Sequence, residues 1–394
     1  MVNPSQKKVA DVFNQLADAI ETGNFGEKTK IGLTILDSEH GPEELVEGAE
    51  LAKEKYDNLD IVLIGEGVET NLELVKASTL EEAHDKMDSM LENDELDGAV
   101  TLHYSFPLGV STVGRVKTPG IGKEMYLSTT TGTSATQRVP SMIKNAVYGL
   151  ATASALGDDD PSLGILNIEG ARLVEQKLKE VAENGYNINF AKSAREDGGV
   201  VMRGNDLLKG TPDIMVTDTL TGNMLMKMFS AFTTGGGYEA SGFGYGPGVG
   251  EDYDKLICII SRASGAKVVA NAIKYAAMVS RGNLNNKIAV EMEKARKAGL
   301  NDILEEVELD QSSNEVKKEV EAPTKKTTGE EIPGLDILTI EDAKKSLWKE
   351  EIYAETGMGC TGPVILVAEE DEEIAREILI ENDYISKNES DGSC

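Results

Sequence analysis

Two hydrophobic periods alternate along this chain. Short continuous apolar runs, Lys30 to Leu36, Ile61 to Ile64, Gly98 to His103, Leu163 to Ile168, Asp213 to Thr217 and Leu256 to Ile260, have the length and composition of strands buried on both faces. Between them lie segments that are apolar at helical spacing, from Glu43 to about Lys55, Glu81 to Leu91, Ser141 to Leu156, Ala171 to Asn184 and Val268 to Met278. Strand, loop, helix and strand in this order are the grammar of a parallel α/β domain. Ahead of it, Val9, Val12, Phe13, Leu16, Ala19 and Ile20 predict an amphipathic leading helix that ends at Gly23 and Gly26.

From about Asp302 the texture changes. Glu305, Glu306, Glu308 and Asp310, then Ser312 to Asn314, mixed Lys and Glu, and Pro323 to Glu331 read as a linker or a long exposed excursion. Beyond it, a helical pattern (Thr339 to Glu355) and a short apolar run (Val364 to Ala368) frame Gly357-Met358-Gly359-Cys360-Thr361-Gly362-Pro363, a helix–loop–strand corner with a thiol at its tip. The organisation expected is a leading helix (1–29), an α/β core (30–299), an acidic linker (300–335), a cysteine-bearing segment of helix, loop, strand and helix (336–386) and a polar tail (387–394).

The 394 residues are 40% hydrophobic, enough for a sizeable core, and carry a formal charge of −30. That charge repels nucleic acid and anionic membrane surfaces, so neither is an expected partner, and an anionic small substrate needs a local basic patch. Cys258, Cys360 and Cys394 are too scattered for a disulfide framework or a spaced zinc site, and no window is apolar enough to span a bilayer or serve as a secretory leader. A cytoplasmic setting, without metal or organic cofactor, is the expectation.

Three places carry candidate chemistry. Around Cys360, the amides of Gly359 and Thr361 suit a thiolate or a carbonyl oxygen gaining charge, whereas the plainer alternative is a chain turn with a small buried thiol. At the strand-to-helix step after Asp213 to Thr217, Thr221-Gly222-Asn223, with Lys227 one turn on, suits a phosphate. A second such step carries Ser261-Arg262-Ala263-Ser264, where the guanidinium offers paired donors and Ser261 and Ser264 offer hydroxyls. The hydroxyl-rich run Ser128 to Arg138 reads either as an anion site or as a polar surface loop, and the glycine-dense stretch Gly235 to Gly250 either as a mobile loop over the site or as a surface excursion. Cys258, between isoleucines, is expected to be buried and inert.

In sequence order, Leu163 to Ile168, Ile188-Asn189-Phe190, and Asp213 to Asp218 with Thr221-Gly222-Asn223 resemble the phosphate acyltransferases of phospholipid synthesis, and Asp37 to Pro42 with Val46 to Ala49 is similar to that family's opening. Ser261-Arg262-Ala263 looks like the phosphate-acetyltransferase relatives, in which these positions face phosphate. The resemblance implies an α/β/α core of the type shared with isocitrate dehydrogenases. The segment with Gly357 to Pro363 departs from it, and core, linker and cysteine motif together resemble the alpha subunits of component C of glycine, sarcosine and betaine reductases. That likeness implies an acetyl thioester on Cys360 that inorganic phosphate, as co-substrate, releases as acetyl phosphate. It also implies an oligomeric complex with a component C beta subunit and the selenoprotein component A as acyl donor. Two alternatives stay open: a phosphate acyltransferase acting on acyl carrier protein or coenzyme A thioesters with Cys360 a bystander, and a non-catalytic docking subunit.

Overall fold

In the computed structural model the apolar runs lie side by side as strands. The structure describes residues 28–56, 58–195, 198–314, 322–335, 339–359, 362–382 and 384–385. The predicted leading helix and Cys360, Thr361 and Cys394 lie outside them. The chain forms two compact units, the second beginning at Leu309.

The first unit opens with β1 (Thr29–Thr34), α1 (Pro42–Lys55), β2 (Leu59–Gly65), β3 (Glu73–Lys76), α2 (Leu80–Glu92) and β4 (Gly98–Thr101). These four strands are mutually parallel, in the order β3-β2-β1-β4. In β2, Ile61 and Leu63 pack with Ala49 of α1, while Val62 and Ile64 pack with Ala83 and Met87 of α2. Alternate side chains leave a strand on opposite faces, so a run buried on both sides must be apolar throughout. The start of α2 is set locally: Glu82 N–H donates to Thr79 Oγ1 (3.1 Å), and the Glu82 carboxylate accepts from Ser78 N–H (2.8 Å).

Next come β5 (Ser111–Lys117), β6 (Glu124–Gly132), α3 (Arg138–Ala155), β7 (Ser162–Leu166), α4 (Ala171–Glu183), β8 (Asn189–Phe190), β9 (Val201–Met202), α5 (Gly204–Lys209), β10 (Ile214–Val216) and α6 (Thr219–Ala231). The unit continues with β11 (Gly246–Val249), β12 (Ile257–Ile259), α7 (Ala266–Arg281), α8 (Leu284–Lys297) and, through Glu308, α9 (Leu300–Asn314). All twelve strands form one sheet, β3-β2-β1-β4-β12-β11-β5-β6-β10-β7-β8, with β9 also on β7. Its wings are parallel, as expected, but its middle is antiparallel: β12 with β11, β11 with β5 and β5 with β6.

Two sequence expectations are corrected. The stretch from Gly235 to Gly250 is a surface excursion only at its start, where residues 235–237 are exposed; residues 242–250 are buried and contain β11, a strand in the middle of the sheet. Its glycines let backbones close up: a Cβ on Gly246 (φ 88°) would lie 1.8 Å from Val113 O. The supposed linker from 300 begins as α9, whose Leu300, Ile303, Leu304 and Val307 are buried in the main core. Its carboxylates form the solvent face, where Glu306 meets Lys177 at 2.8 Å.

The second unit holds β13 (Glu330–Ile332), α10 (Ile340–Lys349), β14 (Ala354–Gly359), β15 (Gly362–Val367) and α11 (Glu372–Glu381), with the antiparallel order β13-β15-β14. Ile332, Leu347, Ala354, Ile365, Val367 and Leu379 build its own core. The expected helix through Glu355 stops at Lys349, and residues 354–359 are a strand paired to β15. The anticipated corner is therefore strand on both sides.

Gly222 provides a test of the packing. A Cβ there would lie 1.7 Å from Thr129 O on β6, too close for any side chain. Gly222→Ala should cost about 2–3 kcal/mol or more in urea unfolding, whereas Gly237→Ala, at a site open to solvent, should stay within about 0.5 kcal/mol.

Candidate functional site

The turn after β12 is built from its own hydroxyls. Ala263 N–H donates to Ser261 Oγ (3.1 Å), Ser264 N–H to Ser261 O (3.0 Å) and Ser261 N–H to Ser264 Oγ (3.0 Å). Ser264 Oγ in turn donates to Glu239 Oε2 (3.0 Å), and the other carboxylate oxygen accepts from Tyr245 OH (3.2 Å). Glu239 is 2% exposed, and its backbone also bonds to the turn, N–H to Ala263 O (2.9 Å) and O from Gly265 N–H (3.0 Å). A carboxylate that deep needs several donors, and this turn supplies them. Ser264 is thus fully engaged inside the protein.

Arg262 is different. Its side chain is 53% exposed and its Nε lies 3.2 Å from Asp37 O and 3.4 Å from the Asp37 carboxylate, while its carbonyl accepts from Glu39 N–H (2.9 Å). Asp37 takes φ 71°, a left-handed turn residue that aspartate tolerates. The loops after β1 and β12 are thereby clasped together, and among the described residues the two terminal nitrogens of Arg262 make no hydrogen bond. His40 lies in the same loop, its ring 5.1 Å from that of Tyr238.

The first turn of α7 already holds an anion. Glu44 of α1 accepts from Ala266 N–H (2.7 Å) and from Tyr238 OH (2.5 Å). The hydrogen bond to Glu44, with burial, pushes the Tyr238 phenol up to about 12.

At the β10 to α6 step the arrangement is again self-contained. Asp218 caps the helix by accepting from Thr221 N–H (2.8 Å), and Arg138 stands 3.4 Å from Asp218. Asn223 Nδ2 donates to Thr130 O (3.1 Å), and Gly222 is the point of closest helix-to-strand approach. Lys227 is exposed on α6. The glycine and asparagine here lock a helix to β6.

The two steps do not form one cradle. Between β12 and β10 the direction reverses at β12–β11, β11–β5 and β5–β6 and is kept at β6–β10, so the two strands run oppositely. Their C-terminal ends leave the sheet on opposite sides. The structure brings Ser261, Arg262 and Ser264 together at one end and Thr221, Gly222 and Asn223 at the other.

The hydroxyl-rich run divides: its start lies inside the sheet, while residues 133–137 form a loop in which Thr136 is exposed. Thr130 Oγ1 bonds to Thr112 Oγ1 (2.7 Å) and donates to Tyr245 O (2.6 Å), Thr129 Oγ1 donates to Thr112 O (2.8 Å), and Ser128 Oγ donates to Asn145 O (2.6 Å). These buried groups stitch β5, β6, β11 and α3. Cys258 is 1% exposed, and burial pushes its thiol well above the usual range. In the second unit, Gly359 and Gly362, the residues flanking Cys360 and Thr361, are register partners. Glu44, Tyr238 and Glu239 were missed by sequence reasoning, because Glu44 and Glu239 reach their partners across 222 and 25 residues and no local motif marks them.

The Tyr238 shift fixes a sign for pH dependence. A phenol whose folded pKa lies above about 10 stabilises the fold fully below pH 10 and loses that contribution as pH rises through about 12. With partial exposure allowed for, the stability difference between wild type and Tyr238→Phe should be on the order of 1 kcal/mol at pH 9. It should vanish by about pH 12, read from urea midpoints at each pH.

Comparison with known proteins extends the picture. A family model described as "Fatty acid synthesis protein" matches residues 29–366. The glycine/sarcosine/betaine reductase complex component C subunit alpha of Peptoclostridium acidaminophilum is 54% identical over 374 residues, 95% of this chain and 97% of that protein. A phosphate acyltransferase of Anoxybacillus flavithermus is 26% identical over 235 residues, 50% of this chain and 70% of that protein. Among solved structures, a branched-chain phosphotransacylase from Enterococcus faecalis V583 aligns with 16% identity and a TM-score of 0.47, covering 64% of this chain and 99% of that one.

Proposed function

We propose, for a chain that belongs to the fatty acid synthesis protein family, that it is the acyltransferase subunit of a glycine, sarcosine or betaine reductase complex, carrying an acetyl thioester on Cys360 and releasing it to inorganic phosphate as acetyl phosphate. The observation that carries this reading is the extent of two likenesses. The phosphate acyltransferase match spans 50% of the chain, whereas the component C alpha match spans 95%. A match over 374 of 394 residues takes in most of the cysteine-bearing second unit.

In the reaction, a phosphate oxygen attacks the thioester carbonyl carbon, the carbonyl oxygen becomes anionic, and collapse breaks the carbon–sulfur bond to leave acetyl phosphate and the Cys360 thiolate. Both ends are activated acyl groups, so positioning and charge neutralisation suffice. The Gly359 and Thr361 amides take the oxyanion, and Arg262 orients phosphate through its terminal nitrogens. Ser261 and Ser264 act by shaping the turn that presents Arg262. Thr221, Gly222 and Asn223, at the opposite edge of the sheet, are assigned to the packing of α6 against β6, and Lys227 stands exposed on that helix away from Arg262. The acyl group comes from a selenoprotein component A, and a component C beta subunit completes the assembly in the cytoplasm.

Incubation with acetyl phosphate should acetylate Cys360, seen by peptide mass, and Cys360→Ser should abolish turnover. Iodoacetamide should label Cys360 ahead of the buried Cys258, in step with loss of acetyl phosphate turnover. Persistent turnover in Cys360→Ser would instead favour a phosphate acyltransferase using acyl carrier protein or coenzyme A thioesters.

Arg262→Ala should raise the apparent phosphate constant about ten- to a hundred-fold, from one charge-assisted hydrogen bond of roughly 1.5–3 kcal/mol. Acetylation of Cys360 by the acyl donor should be unaffected. An unchanged phosphate dependence would remove Arg262 from the site.

A further inference from the structure

A second basic feature lies apart from Arg262. Leu51 and Lys55 of α1, Lys117 at the end of β5, the segment 240–242, and Lys267 and Asn271 of α7 line a cavity of about 350 Å³. Three cations therefore reach one pocket from three separate elements. The chain has 69 Asp and Glu against 39 Lys and Arg, so a lysine on its surface has a surplus of carboxylates from which to draw a partner. Among the described residues, none of Lys55, Lys117 or Lys267 forms an ion pair. Glu124, the acidic group felt by neighbouring Tyr56, is engaged by Arg115.

Lys267 is the second residue of α7, beside the Ala266 amide that Glu44 already takes, so the lysines and not the helix terminus are the attraction for an anion here. The floor is polar and fixed: Asn271 Nδ2 donates to Gly242 O (2.9 Å), and Tyr56, whose hydroxyl lies 3.5 Å from Asn271 Oδ1, carries Lys274 Nζ 4.7 Å from its ring centroid. Lys274 adds a fourth positive group beside the site.

We propose that this pocket binds a small anion bearing two or more phosphate groups. Three ammonium groups match the charge of a diphosphate or longer, whereas a single phosphate leaves part of the repulsion among the lysines uncompensated. The cavity lies within the size range of small-molecule sites.

Isothermal titration of the full chain with inorganic pyrophosphate and tripolyphosphate at near-physiological salt tests this. The expected result is saturable one-to-one binding, tighter for tripolyphosphate than for pyrophosphate, and weaker for orthophosphate at this pocket. Lys267→Gln or Lys117→Gln should weaken it about three- to ten-fold and the triple Lys55, Lys117, Lys267 to Gln variant at least about thirty-fold. Arg262→Ala should leave pyrophosphate affinity unchanged, which separates this pocket from the proposed acyl-transfer site. No saturable binding, full affinity in the single lysine variants, or loss of binding in Arg262→Ala would overturn the assignment. Should the triple variant not fold, by circular dichroism, the two single variants decide the matter.

Discussion

Three antiparallel pairings in the middle of the sheet, β12 with β11, β11 with β5 and β5 with β6, decide where chemistry can be placed in the first unit. In an open parallel sheet, loops that bind ligands gather at the carboxyl ends of the strands. Here the reversal turns one wing over relative to the other, so each wing has its own carboxyl edge. The Asp37, His40, Ser261 and Arg262 loops share the edge of the β1, β4 and β12 wing; the Asp218 and Thr221 loop belongs to the opposite one. The reversal also explains why β11 is rich in glycine. A strand antiparallel to both neighbours at the seam of two twisted wings must approach them closely, as Gly246 does at Val113.

Much of the fold was legible because parallel strands buried on both faces carry unbroken apolar runs, as in Ile61 to Ile64. What escaped did so for identifiable reasons. The glycines of 242–250 mask β11, since the signal of a strand is its side chains and this one is specified by their absence. Acidic residues hid α9, although Leu300, Ile303, Leu304 and Val307 stand at helical spacing. At the candidate site, Arg262 was legible as a donor next to a strand end, but its setting was not. Glu239 and Glu44 meet the β12 to α7 turn through tertiary approach, for which single-sequence spacing carries no mark.

Carboxylates take the places that a phosphate would otherwise claim. Helix N-termini attract anions through free N–H groups and the dipole, and both helices at the suspected phosphate steps satisfy this internally, α6 with Asp218 and α7 with Glu44. In a chain of charge −30 the carboxylates are plentiful, so capping from within is easily arranged. The consequence is that glycine, serine and threonine at a strand-to-helix step carry less information about phosphate than the cations beside them. Thr130, Thr129 and Ser128 make the same point, their hydroxyls being committed to buried backbone and side-chain partners.

What remains open to an anion at the β12 edge is the Arg262 guanidinium, and its contact with Asp37 has to be weighed against that role. An exposed ion pair at 3.4 Å contributes about 0–1 kcal/mol, because water screens it and side-chain entropy opposes it. A phosphate accepting a charge-assisted hydrogen bond from the terminal nitrogens would gain roughly 1.5–3 kcal/mol. The second quantity exceeds the first, and the two do not compete for the same nitrogens, since Asp37 engages only Nε. Asp37 therefore aims the guanidinium without neutralising its far edge. The buried Ser264–Glu239–Tyr245 network holds the turn behind it, so a change at Glu239 would act on the placement of Arg262.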